Sequence, residues 1–241
     1  MAFEPQDQPV LRTGERAQAR EIDQGLRAYM LKVYNYMASG LVLTGIVALL
    51  TASSETMVQI IFGTPLQWVV MLAPLGFVLV MSFGIHKMKA STAQMLFWAF
   101  ATVMGLSMAS IFLVFTGTSI ARVFFITAGT FAGMSLYGYT TKRDLSGMGS
   151  FLMMGLIGVI IAMVVNIFLA SSALQMAISV VGVLVFVGLT AYDTQRIKSL
   201  YNEFDSAEVA TKKAINGALN LYLDFINLFI MLLQLFGQSR E

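Results

Sequence analysis

Seven apolar stretches govern what this chain can fold into. They cover residues 33–51, 67–85, 93–115, 120–139, 149–170, 174–191 and 215–236. A helix of about 20 apolar residues crosses a hydrocarbon core ~30 Å thick. Inside that core each backbone N–H and C=O has to be satisfied within the segment, which makes the helix the natural spanning element. The sequence therefore predicts an all-α membrane protein of seven transmembrane helices. Of its 241 residues 57% are apolar and 12% charged, and that charged share is about half what a soluble domain carries. A water-soluble globule, a disordered chain and a nucleic-acid-binding module are excluded on these grounds.

Chemistry is narrowed further by what is missing. The chain has no cysteine, so a disulfide framework, a thiolate nucleophile and a cysteine metal site are all excluded. A single histidine, His86, rules out a zinc site that needs two. No cofactor is expected, and the 17 methionines read as adaptable packing in apolar surroundings.

Residues 1–20 are polar, contain Pro5 and Pro9, and read as a flexible cytoplasmic tail. From Glu21 a helix is predicted, because Ile22, Leu26, Tyr29 and Val33 recur at helical spacing. No cleaved signal peptide is evident. Residues 21–237 form one seven-helix domain. Lys and Arg set its orientation. With the N-terminus inside, thirteen of the fifteen fall on cytoplasmic segments, Arg122 and Arg240 being the exceptions. This predicts a multi-pass membrane protein with its C-terminus outside. Ala101, Gly105 and Ala109, and likewise Gly129 and Gly133, repeat every four residues and predict faces where helices pack closely.

Two carboxylates remain in or beside the spans, Asp193 and Asp224. An Asp at a helix centre costs about 3 kcal/mol on insertion scales, so Asp224 should face the bundle interior, and the seventh spanning helix is expected at the bundle centre. Asn220 and Asn227 share its face roughly. Asp193 ends the sixth stretch, with Arg196 at i+3 as a simple partner. Facing one another in a low dielectric, two carboxylates do not both ionise easily and share a proton. Such a pair is at once pH-sensitive and a cation site. Depth stands against contact. At 1.5 Å per residue Asp224 lies ~14 Å from residue 215, and Asp193 ~29 Å from residue 174. Meeting requires either a helical 206–213, which starts the last helix deeper, or a water-filled cavity.

The sequences Ala191-Tyr192-Asp193-Thr194-Gln195, Leu223-Asp224-Phe225-Ile226 and Met134-Ser135-Leu136-Tyr137-Gly138-Tyr139, with the spacing of the seven stretches, resemble the transmembrane Bax inhibitor motif (Bax inhibitor-1) family, bacterial branch, over about residues 20–237. The resemblance implies a last helix enclosed by the other six. It also implies a pH-dependent calcium leak with Asp193 and Asp224 as proton sensor and possible calcium ligands. In the family a basic residue near the second span closes over the aspartates. Here that span has no internal arginine, and the nearest candidates are His86, Lys87 and Lys89 at its end. The separation of the aspartates is longer than the family motif suggests.

Three classes follow. The first is a passive cation pathway, for calcium or protons, gated by protonation. The second is a regulator that binds another membrane protein, such as a quality-control protease, with the basic tail docking the partner or anionic lipid. The third, an intramembrane aspartyl protease, needs Gly-x-Gly-Asp, whereas Leu221 and Leu223 occupy the glycine positions.

Overall fold

The computed structural model describes residues 8–240, with side chains described for Ile22 and from Gln24 onward. Its helices are α1 (Gln8–Ala52), α2 (Glu55–Phe62), α3 (Leu66–Gly84), α4 (Ala90–Val114), α5 (Gly117–Thr140), α6 (Ser146–Leu169), α7 (Ser172–Ser199) and α8 (Ala207–Phe236). Seven of the eight are long and apolar enough to cross a membrane, α1 counting from Gln24. The short α2 sits in the connection from α1 to α3, which had read as a loop. It starts at Ser54, whose side chain accepts from Met57 N. The tail predicted over 1–20 falls on residues that lie outside those described or have no described side chains; the backbone of α1 starts at Gln8, ahead of the expected Glu21.

Helix starts follow local chemistry. Thr116, Ser171 and Ser206 cap α5, α7 and α8 by accepting from the N–H three residues on, which satisfies a donor that the first turn leaves unpaired. The α6–α7 turn is short because Ala170 adopts φ 47°, ψ 35°, in the left-handed region that costs a non-glycine residue roughly 1–2 kcal/mol. Asn166 holds that turn, its Oδ1 accepting from Ser171 N at 3.0 Å.

Lys87, Lys142, Arg143, Arg196 and Lys212 gather at one end of the bundle, called the basic end below. The α4–α5 turn, the α6–α7 turn and the chain's C-terminus lie at the far end. There Thr116 N donates to Gln238 O (3.0 Å) and Arg240 N to Val114 O (2.8 Å), so the last residues are pinned to the α4–α5 turn.

α8 is buried along most of its length, from Ala214 to Leu233. It packs against α7, α1, α5, α4 and α3. α6 joins the bundle chiefly through α7. The outer surface is apolar, with Phe83, Phe168 and Ile167 largely exposed. The small-residue faces divide. Ala101 and Ala109 are fully buried and a Cβ on Gly105 would strike Thr44 O of α1, whereas Gly129 and Gly133 face open space. On α5 the packed face carries Val123, Thr127, Phe131 and Ser135, and the close approach comes at Gly138.

Candidate functional site

The basic end of α7 carries four consecutive side chains that reach four different neighbours. Successive residues of a helix point about 100° apart, so a short motif can bind several elements at once. Tyr192 lies on α6, with its ring against Gly149. Asp193 turns toward α8. Thr194, fully buried, donates to Thr190 O (2.8 Å) and lies 3.0 Å from Ser135 Oγ of α5. Gln195 clamps the α5–α6 loop: its Oε1 accepts from Leu145 N (2.9 Å) and its Nε2 donates to Arg143 O (2.8 Å). One turn on, Lys198 Nζ donates to Tyr139 O at 2.8 Å, a cation at the C-terminal end of α5 where carbonyls lack partners. Gly138 lets α5 approach α7 so closely that a Cβ there would strike the Ala191 carbonyl.

Asp193 and Asp224 are brought together. Their carboxyls lie within hydrogen-bonding reach of one another. Asp193 is half-buried, whereas Asp224 is 5% exposed and its Oδ2 has no hydrogen-bond partner. The depth difficulty disappears for two reasons. Residues from Ala207 are helical, so the last helix starts deeper, as one of the two solutions required. The rest is register. Gly182 sits against Met231 and Gly217 against Ile197, which sets Asp193 opposite residues 220–221 and leaves Asp224 about one turn, ~5 Å, nearer the far end. The Cα–Cβ bond leans toward a helix's own N-terminus. α7 runs toward the basic end and α8 away from it, so the two side chains lean toward each other and close the offset.

Around the pair the hydrogen bonds have fixed directions. Thr194 gives its only proton to Thr190 O, so Ser135 donates to Thr194. Tyr34 then donates to Ser135, at 2.6 Å. The chain Tyr34–Ser135–Thr194 thus ties α1 and α5 to the residue beside Asp193. On the other side Thr44 donates to Ala101 O (2.8 Å), so Tyr222, fully buried two residues before Asp224, donates to Thr44 (2.6 Å).

The other predicted site residues stand apart from the carboxyls. His86, Lys87 and Lys89 are exposed in the α3–α4 connection, and Arg196 is exposed. Among the described residues none of them forms an ion pair with Asp193 or Asp224; the ion pair present is Lys213–Asp205, 2.6 Å. Asn220 and Asn227 are half-buried, and Asp224 takes no hydrogen bond from either. Tyr34 and Ser135, which lead by hydrogen bonds to Thr194 beside Asp193, and Tyr222, bonded to Thr44, had no assigned role in the sequence reading. The one available signal was position: a tyrosine and a serine that recur on apolar helix faces.

No group of three or more His, Asp or Glu side chains converges among the described residues. Calcium takes 6–8 oxygens, and two carboxylates supply at most four. Beyond Asp224 toward the far end lies a cavity of about 90 Å³. Phe225, Ile226 and Phe229 of α8, with Phe112, Ile120 and Phe124, make its lining almost entirely apolar, and apolar cavities of about this size stay dry. At the basic end an open cleft of about 310 Å³ runs from Lys142 and Asp144 to Tyr192 and Gln195. In it the side chain of Ser146, and then its backbone N at 2.9 Å, hydrogen-bond Asp144 and hold its carboxyl below the usual carboxylate range.

Known proteins match the chain over most of its length. The family described as Inhibitor of apoptosis-promoting Bax1 matches residues 26–241. An uncharacterized protein of Rickettsia prowazekii is 51% identical over 222 residues, covering 92% of this chain and 94% of that protein. The inner membrane protein YbhL of Escherichia coli is 48% identical over 219 residues, covering 90% of this chain and 94% of its own length. A protein of Caulobacter vibrioides is 48% identical over 230 residues, with 91% and 92% covered.

Proposed function

This chain belongs to the Bax inhibitor-1 family, and from that premise we propose that it is a pH-sensitive cation leak, with calcium as the transported ion and the Asp193–Asp224 pair as its proton sensor. The protein sits in a bacterial inner membrane with its basic end and N-terminus cytoplasmic and its C-terminus outside. The distribution of Lys and Arg supports this orientation, as does the name of the Escherichia coli relative.

One observation carries the reading: two carboxyls in contact across α7 and α8, one of them buried with an oxygen that nothing else satisfies. Held by a shared proton, they fasten the two helices. Without it, two like charges face each other in a poorly solvated interface, and the energy falls if the helices part or a cation enters. α8 carries both Asp224 and the phenylalanines that line the dry cavity, so parting at the pair loosens the apolar seal beyond it. A protease reading lacks its geometry, since Leu221 is fully buried where that chemistry needs glycine.

Reconstitution in liposomes loaded with a calcium indicator tests the proposal. Wild type should leak faster as pH rises through the titration of the pair, and Asp224→Asn and Asp193→Asn should each give a flux independent of pH. Unchanged flux and pH response in both variants would falsify it.

A further inference from the structure

α1 packs on α4 and α8, and α5 on α7 and α8. Between α1 and α5 a furrow opens on the lipid-facing side. It consists of two clefts of about 560 Å³ each, and both include Tyr34 and Phe131. It runs from Arg27 and Tyr139 at the basic end to Leu49 near the far end. That is ~33 Å along α1, the depth of a hydrocarbon core.

The walls are apolar except at the basic mouth. There Arg27 is exposed, and Lys198 lies 4.9 Å from the centroid of the Tyr139 ring. Two cations thus flank one end of an apolar groove whose side opens to the bilayer. We infer that this furrow binds an anionic phospholipid of the leaflet at the basic end, with its phosphate at Arg27 and one acyl chain lying along the groove as far as Tyr34 and Phe131. The charge arrangement selects the headgroup. The apolar walls, open to the bilayer along their length, suit an acyl chain. The occupant would cover the Tyr34–Ser135 hydrogen bond, which bridges the two walls.

Native mass spectrometry of the full-length protein, delipidated and titrated with phosphatidylglycerol or phosphatidylcholine, tests this. Wild type should retain one phosphatidylglycerol in preference to phosphatidylcholine. Arg27→Gln, an exposed change that leaves the fold intact, should weaken phosphatidylglycerol roughly fivefold and reduce the preference. Ala132→Phe, which fills the exposed groove wall, should weaken both lipids, with circular dichroism and the melting temperature confirming the fold. Binding that is equal for the two lipids, or untouched by both substitutions, overturns the inference. So does a disulfide between two copies formed by the single substitution A132C in this cysteine-free chain, which would make a second protein the occupant.

Discussion

The two halves of the α7–α8 interface solve one problem with different chemistry. At the far end the helices are joined by neutral groups. Gln175 Nε2 donates to Gln234 Oε1 (2.8 Å), Asn166 Nδ2 donates to Gln175 Oε1 (3.0 Å), and Ser179 shares its proton between Gln175 O and Gln234 Oε1, both at 2.9 Å. Amides and hydroxyls keep these bonds at any ordinary pH. At the basic end the same two helices meet through carboxyls, which can hydrogen-bond to each other only while one carries a proton. One half is a permanent fastening and the other a conditional one, with the dry cavity beyond the conditional fastening.

The largest expected effect on the leak comes from opening the apolar cavity beyond the conditional half. Phe229→Asn puts an amide into the apolar cavity and admits water. Calcium leak through liposomes should rise on the order of tenfold, ~1.4 kcal/mol off the barrier, at the acidic pH where the proposed gating keeps wild type closed. A leak that stays at the wild-type level would remove the cavity from the pathway. On stability the largest effect falls on the packing behind the conditional half. Gly138→Leu drives a side chain into the Ala191 backbone and should cost about 3 kcal/mol or more, seen as a lower melting temperature in detergent. The smallest effect tests the permanent half. Gln234→Leu removes the acceptor for two side chains and should cost about 0.5–1 kcal/mol, while leaving the pH response of the leak unchanged. A shifted pH response in that variant would show that the two halves are not separate.

Much of this was legible in the sequence, for reasons that also explain what was not. The spans were readable because each needs its own apolar run. A helical 206–213 was one of two alternatives, since those residues carry no apolar run, and Ser206 caps a helix there. The glycine repeat at 129 and 133 pointed to a packed face that turned out to be open, because periodicity marks a face and not its neighbour. Asp224 was conspicuous as a charge inside a span. Its contact with Asp193 depends on the register of α7 against α8 and on opposite side-chain lean, which no single helix encodes. Gln195 was unreadable as a clamp because its partners are loop backbone groups.

The central claim is a proton held between Asp193 and Asp224, and infrared spectroscopy of the reconstituted protein addresses it directly. A shared proton predicts a carboxylic-acid C=O band that disappears as pH rises, over the same range in which calcium leak increases, and that is absent from Asp224→Asn. A band that persists unchanged in Asp224→Asn, or no protonated carboxyl at any pH where the leak is closed, would contradict it.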